Sequence, residues 1–574
     1  MTIFENRQTQ DGLTLKLRRG ERMCLLGMDV DAPEPDFVGF AIDVKSPGGD
    51  YVPLRNRIAF DYAAAAQPGP NGYRNYDSHA APFQTFRWIH FPYLPQPGTY
   101  GYRVTKRHMK PDGSLVDGAQ VALDIPLDPV CYPDFLDIGF TRNFASSQAF
   151  DERYPDPALR AQILPQSGAD RLALDKSKVL GPDGQPSDVF QWLGFEAYQL
   201  LFDFLDQAVA DPTVTVDALA FDLDEADVVR RLEALGPRLR IVIDNSASHL
   251  PASKAESLAA ARLAASAGAD HVTRHHFQRL QHNKVLIARR GGQPFKVLCG
   301  STNFSYRGLY IQANNMLVFS NADVAGLFGR MFDLAFQGPD ALGKDPLSKA
   351  WQVVSPDNGP PVHLCFSPHA DAALSLGPVA GAIDQAASSV LYSVAFLSLD
   401  KTGLVRKALD RLMGRPLFSY GVVNQATGLQ VTKPDGSTAL VDFAYLAAHA
   451  PPPFSAEWSG GAGIHIHHKF IVTDFNLPSA KLFTGSSNLA VGGEQSNGDH
   501  LIQISDPLIA SAYAIEALRM FDHLHFRTKM QAAGAAATGP ITLAKPPAAG
   551  QPAWWAPFYV DGSQKARDRT MFSS

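Results

Sequence analysis

Residues 282–315 read HNKVLIARRGGQPFKVLCGSTNFSYRGLYIQANN, and residues 467–500 read HHKFIVTDFNLPSAKLFTGSSNLAVGGEQSNGDH. Aligning His282 with His467 sets an offset of 185 residues, which also pairs Lys284 with Lys469, Gly300 with Gly485, Ser301 with Ser486, Asn303 with Asn488, Gln312 with Asn497 and Asn314 with Asp499, without a gap. A lone His-x-Lys arises easily by chance, but two complete ladders in register point to one duplicated unit. In each copy the His-x-Lys opens an apolar run (VLIA, FIVT) and the Gly-Ser-x-Asn closes another (FKVLC, KLFT), the pattern of two neighbouring strands. Side chains alternate along a strand, so a His and a Lys two residues apart project to one side. Each copy thus offers a nucleophile or proton carrier beside a fixed cation, and the small Gly-Ser step lets backbone, hydroxyl and amide donors approach a phosphate.

Working outward, strands alternate with helices from about Asp134: LDIGFTRN, VFQWLGFEAYQLLFDFLDQAVA, VTVDALAFDL, ADVVRRLEALG, RLRIVIDNS and KAESLAAARLAASAG. The same order returns from Pro361, and the alternation predicts a mainly parallel sheet with helices on its faces. The second copy carries an insertion, about Asn424 to Gly463, containing Phe443, Tyr445, Phe454 and Trp458. A stretch of that kind is a lid or a solvated loop. Residues 1 to about 125 read instead as short β segments broken by PGG, QPGPNG, PQPG and KPDG, which predicts a β-sandwich of immunoglobulin or fibronectin type with Trp88 in its core. The domains expected are a β-sandwich over 1–128, a first α/β half over 129–345, a second over 360–530, and a linker with a C-terminal aromatic strap (Trp554, Trp555, Tyr559) over 531–574.

Composition narrows the function. The 574 residues are 45% hydrophobic, and 51 Lys+Arg against 57 Asp+Glu give a formal charge of −6, so no global positive field draws the chain to nucleic acid or anionic membrane. Four scattered cysteines, Cys24, Cys131, Cys299 and Cys365, form neither a disulfide framework nor a zinc motif. There is no apolar core of signal-peptide type and no run long enough to span a membrane, which predicts a cytoplasmic protein. P-loop, HExxH and G-x-S-x-G motifs are absent. His275, His276, His465 and His468 crowd the two motifs, but without the triad spacing of a metal site they read as rim or supporting residues. The acidic text FDLDEAD (Phe221 to Asp227) reads as a helix cap and first turn.

Two His-x-Lys units, each followed by Gly-Ser-x-Asn, resemble the phospholipase D superfamily over roughly residues 134 to 530. The resemblance implies two α/β/α halves packed about a pseudo-twofold axis, so that both motifs line one site, and a phosphodiesterase that needs neither metal nor cofactor. It implies that one His attacks phosphorus while the other donates a proton to the leaving oxygen and then activates water or an alcohol. His282 takes the nucleophile's role and His467 the acid's by the family's usual order, with Lys284, Lys469, Ser301, Asn303, Ser486 and Asn488 holding phosphate oxygens. Asp474, Asp499 and Asn314 are the supporting groups. The sequence departs from the family's pattern at Arg289, where the first copy lacks the Asp that Asp474 supplies in the second, and at Asn314, which is uncharged opposite Asp499. Which of the two serves which His stays open.

The substrate implied is a phosphodiester. Phospholipid hydrolysis or transfer comes first, on the acidic net charge and the aromatic insertion. A nuclease is the alternative, with Arg274, Arg279, Arg289, Arg290 and Arg307 as candidates for a basic cleft. An inactive binding or scaffold module is the third reading. The sequence names no partner for the β-sandwich and no oligomeric state.

Overall fold

The computed structural model describes residues 4–61, 67–68, 74–142, 150, 153–165, 167–181, 183–185, 187–396, 400, 402–424, 440–442, 465–535 and 542–574. Apart from Asn424 and the short strand Leu440–Asp442, the aromatic insertion of the second copy, with Phe443, Tyr445, Phe454 and Trp458, lies outside the described residues.

Alternating apolar residues in the first 126 positions build two four-stranded antiparallel sheets. One runs Glu5–Gln10, Leu13–Arg19, Cys24–Val30, Arg87–His90, and the other Leu115–Pro126, Thr99–Met109, Phe37–Lys45, Tyr51–Pro53. Leu15, Leu26, Phe40, Ile42, Tyr102 and Val121 from both sheets close one core, and Trp88 packs on its edge, 4.2 Å from the ring of Phe83. The C-terminal residues return to this layer. Trp554 Nε1 donates to Phe37 O at 3.0 Å, and the helix Gln564–Ser573 reaches across to the second α/β sheet, where Tyr420 donates to Asp568 at 2.6 Å.

The rest of the chain forms two large sheets with the same strand order. The first runs Cys131–Tyr132, Leu136–Phe140, Asn315–Phe319, Gln293–Gly300, Val285–Arg290, Val214–Ala220, Leu239–Ile243, Val272–Arg274. The second runs Gln352–Val354, Val362–Ser367, Asn497–Ile504, Lys481–Gly485, Lys469–Thr473, Ser389–Val394, Phe418–Val423, Leu440–Asp442. The sheets are mixed rather than mainly parallel, because only the last three strands of each run parallel. The reason is local. Gly291 (φ 58°) and Gly292 (φ 82°) join Val285–Arg290 to Gln293–Gly300 in a two-residue hairpin, and a connection that short can only reverse the chain.

Residues such as Ile138, Ile287, Val297, Leu317, Leu364, Phe470 and Ile502 from both sheets share one core with the helices Ala322–Gln337 and Pro507–Ala535. Burying apolar faces on each other at roughly 25 cal/mol per Å² fixes the two sheets together, and that packing brings the two His-x-Lys segments face to face. Among the described residues no helix is long and apolar enough to cross a membrane.

Candidate active site

Each His-x-Lys segment lies at the start of its strand and is tied to the opposite sheet. His282 N donates to Gly498 O at 2.9 Å, and His467 N donates to Ala313 O at 3.0 Å. The residues just before are held from behind by the end of the next strand but one in the same sheet. Asp244 Oδ1 accepts from Gln281 N at 2.8 Å, and Asn424 Oδ1 accepts from His465 N at 2.8 Å and Ile466 N at 3.1 Å. All of these pairs obey the same offset or occupy the same strand end, so the duplicated sequence has become a duplicated backbone frame.

The frame exchanges side chains between copies. His282 Nδ1 lies 2.7 Å from Asp499 Oδ1, and His467 Nδ1 lies 2.8 Å from Asn314 Oδ1. Each histidine is therefore held by the other copy, which settles the pairing that the sequence left open. Asn314 Nδ2 donates to Gly308 O at 2.9 Å, which fixes Oδ1 as the acceptor toward His467. Both rings thus donate from Nδ1, which leaves Nε2 unprotonated, and His467 Nε2 accepts from Lys469 Nζ at 3.1 Å. Beneath them a second exchanged pair repeats with the residue types swapped, Asn283 Oδ1 with His500 Nδ1 at 2.8 Å and Asn315 Nδ2 with His468 Nδ1 at 3.4 Å.

The Gly-Ser-x-Asn segments sit against these groups. Gly300 (φ 140°) and Gly485 (φ 144°) are required because a Cβ would stand 2.6 Å from Asn315 O and 2.4 Å from His500 O. The two serines do something other than hold phosphate. Ser301 Oγ donates to Asn314 Oδ1 at 2.9 Å and Ser486 Oγ donates to Asp499 Oδ1 at 2.6 Å. A hydroxyl has one proton to give, and here it goes to the group that orients the opposite histidine. Asn303 and Asn488 remain beside the site, each with a buried side-chain oxygen lacking a protein partner.

Asp474 is also displaced from the role the sequence suggested. Its carboxylate lies at the far end of the strand Lys469–Thr473 and accepts from the backbone N–H groups of Ala387, Ser388 and Ser389 at 2.8 to 3.1 Å. It pins a turn and does not touch either histidine. Arg289 occupies the corresponding end of the first strand, paired with Asp217 and, at 3.0 Å, with Asp333. Arg290 pairs with Asp211 at 2.9 Å, so these two arginines stand roughly 17 Å along the strand from Lys284 and build no cleft there. Arg274 donates to Ser257 Oγ and to the carbonyls of Asp244 and His249. Of the surrounding histidines, His275 bonds Ala335 O, His276 bonds Asn245, and His468 is buried 3.5 Å from Glu516.

The electrostatics follow from burial. His282 is held below the usual histidine range by burial and the Lys284 charge, which together outweigh Asp499, and His467 is pushed well below it by burial and by Lys469 and Lys284. Burial lowers Lys284 to about 8 against the pull of Asp499, Asp222 and Asp244, and burial holds Lys469 well below its usual range, with Lys284 repelling it. Asp499 moves the opposite way: burial alone would raise it, but His282, Lys284 and the Ser486 hydroxyl hold it at about 2. The resting site therefore holds an ionised carboxylate, while its two imidazoles and two lysines are all disfavoured from carrying charge, an environment that an anion would relax.

Sequence reasoning missed the flanking groups. Phe221 packs 5.0 Å from the His282 ring and 4.8 Å under Lys284 Nζ, and Phe396 stands 6.1 Å from His467 and 5.8 Å from Lys469 Nζ. Asp222 Oδ2 accepts from Asn303 Nδ2. Only Glu225 in the acidic stretch is the helix cap, accepting from Val228 N at 2.7 Å. The available signal was position: Phe221 and Asp222 follow a strand that neighbours the His282 strand.

No family model matches the chain, and no curated protein does. Solved structures do match. Nuc, a phospholipase D family member from Salmonella typhimurium, is 20% identical over 24% of this chain and 85% of its own, with a TM-score of 0.19. Yeast tyrosyl-DNA phosphodiesterase is 11% identical over 51% of this chain and 83% of its own, with a TM-score of 0.28, and a variant of it matches over 56% and 89% with a TM-score of 0.31. In its duplicated His-x-Lys and Gly-Ser-x-Asn residues, carried on two sheets of one strand order, the chain resembles the phospholipase D superfamily.

Proposed function

We propose that the chain is a metal-independent phosphodiesterase working through a phosphohistidine, with phospholipid hydrolysis of phospholipase D type as its reaction. The observation that carries this is the pair of exchanged contacts, His282 with Asp499 and His467 with Asn314, which aim two Nε2 atoms into a site that already holds two buried lysines. The two sheets of equal strand order are read as halves about a pseudo-twofold axis, over 129–345 and 360–530, behind a β-sandwich over 1–128.

His282 Nε2 attacks phosphorus, and the bond to the leaving oxygen breaks as that oxygen takes a proton from His467 Nε2. Water then gives its proton to His467 while its oxygen displaces His282, releasing the phosphomonoester. The phosphorylated ring, still carrying its Nδ1 proton, is a cation, and the ionised Asp499 beside it stabilises that charge. His467 lacks a carboxylate and takes up its proton once substrate anion offsets Lys284 and Lys469. The two lysines and Asn303 hold the non-bridging oxygens, each such donor contributing about 3 to 4 kcal/mol. The opposite order of roles is favoured by one observation: His467 Nε2 accepts from Lys469 Nζ at 3.1 Å and so stands unprotonated, as a nucleophile must.

Lipid is preferred over nucleic acid because Arg289 and Arg290, two of the five arginines that a nucleic-acid cleft would use, are bound in ion pairs at the far strand end. The test offers purified protein in EDTA four substrates: phosphatidylcholine vesicles, plasmid, single-stranded DNA and bis(p-nitrophenyl) phosphate. Release of choline or p-nitrophenol is the expected result. Preference for DNA would turn the reading to the nuclease, and silence on all four, or loss of activity on chelation, would overturn it.

A further inference from the structure

Beside the His282 strand lies a titratable cluster that the proposed reaction does not use. Asp222 and Asp244 each follow a strand that ends at the site, and His249 stands between them in the loop after Asp244. His249 Nδ1 is 2.8 Å from Asp244 Oδ2, and Nε2 is 3.1 Å from Asp222 Oδ1 and 3.9 Å from Glu256 Oε1. Both carboxylates reach on into the site. The other oxygen of Asp244 accepts from Gln281 N, next to His282, and the other oxygen of Asp222 accepts from Asn303 Nδ2. Phe221 fills the angle, with ring centroids 4.7 Å from His249 and 5.0 Å from His282. An unbroken chain of hydrogen bonds therefore joins the backbone that carries one reacting histidine to the amide beside the phosphate position.

Asp222, His249 and Glu256 also have the composition of a cation site, their ligand atoms lying within 4.8 Å of one another. A metal, however, needs a lone pair on Nε2. With a carboxylate at each ring nitrogen, both nitrogens are donors. Burial alone would lower His249, but Asp222, Asp244 and Glu256 raise it to about 10, so the imidazolium itself is the cation of the cluster. The second copy differs: Asn424 grips the backbone before His467 as Asp244 does before His282, but an amide gives a ring no charge to pair with.

We propose that protonated His249 is a positioning residue, which through Asp222 holds one N–H of Asn303 so that the other faces a phosphate oxygen, and through Asp244 fixes the segment bearing His282. The proposal rests on the phosphodiesterase reading. A carboxamide has two N–H donors; anchoring one sets the direction of the other before substrate arrives, which is where such donors gain their catalytic effect.

The test compares full-length wild type with His249→Ala, Asp222→Asn and the double variant on bis(p-nitrophenyl) phosphate, with folding checked by circular dichroism. Each single change is expected to lower kcat by about tenfold to a hundredfold with KM within about threefold, because Asn303 acts in the transition state. The double variant should be no slower than the slower single, since the two residues form one link. The proposal is overturned if folded His249→Ala keeps kcat within about threefold of wild type, if the two effects multiply, or if wild type carries a stoichiometric divalent metal that His249→Ala lacks. Should His249→Ala fail to fold, Asp222→Asn reads the same link under the same criterion. Should wild type turn nothing over, the phosphodiesterase reading fails by itself. Calorimetric binding of orthovanadate, which takes up the five-coordinate geometry of the transition state, then decides here: about tenfold weaker binding in the variants supports the link, and unchanged affinity sinks it.

Discussion

The two copies of the site share a skeleton and differ in charge. Their backbone contacts repeat nearly bond for bond: histidine N–H to the opposite sheet, a strand-end oxygen behind, and a serine hydroxyl on the group that holds the opposite ring. At two points a described group beside the first histidine is a carboxylate where its counterpart is an amide: Asp499 against Asn314, and Asp244 against Asn424. Geometry is duplicated where the rings must be aimed, and charge is differentiated where a proton must be gained or kept. That is the pattern expected when one ring becomes a cationic intermediate and the other shuttles protons.

The comparison breaks most completely when a ring is removed. His282→Ala and His467→Ala should each lower turnover by roughly 10⁴-fold or more, measured in steady state. An acid-quenched phosphoprotein should persist in His467→Ala and vanish in His282→Ala, and the reverse pattern would exchange the roles. Next comes the charge difference. Asp499→Asn keeps the shape and removes the counter-charge, so kcat should fall by about a hundredfold or more. Asn314→Asp makes the copies alike, and the limb of the pH–rate profile that belongs to His467 should move upward by about one unit, with kcat within about tenfold.

Stability against pH separates the histidines further. His282, His467, His468 and His500 resist protonation in the fold, the last lowered to about 3 by burial, whereas the unfolded rings take up protons near 6.5. The unfolded chain then binds more protons, so the unfolding midpoint in urea should fall as pH drops below about 6.5. His249 has the opposite sign: its contribution is complete below about 6.5 and is lost as pH rises toward 10. His249→Ala should flatten only that alkaline decline. The smallest effect is expected at Asp474→Ala, a loss of about 1 to 2 kcal/mol in stability with kcat unchanged, because its partners are three backbone N–H groups and the Ser479 hydroxyl, at the strand end away from both rings.

The structure brings together the histidines, the lysines and the Asn314 and Asp499 that the sequence ladder singled out, because a duplicated strand keeps its spacing. It could not say that Asp499 serves His282, since that contact spans 217 residues and exists only once the sheets have docked. It assigned Ser301 and Ser486 to phosphate because residue type shows a donor but not where its single proton goes. Phe221, Asp222, Asp244 and His249 carry no motif; they reach the site as ends of neighbouring strands, and only strand order reveals that. The expected mainly parallel sheet fails for a related reason: alternation of strands and helices points to parallel crossovers, whereas the Gly291-Gly292 hairpin reverses the chain between adjacent strands.

The exchange of orienting residues has a consequence for how the chain could be divided. A half made alone would carry a histidine with no partner at Nδ1 and no strand beneath its backbone N–H, since both come from the other half. Expressed as separate polypeptides, the two halves should each be inert and should recover turnover on mixing. Activity would then report their association directly, as in a complementation sensor. In the cell the same arrangement means that a nascent chain emerging from the ribosome cannot assemble the two oriented histidines until its last large sheet has been made.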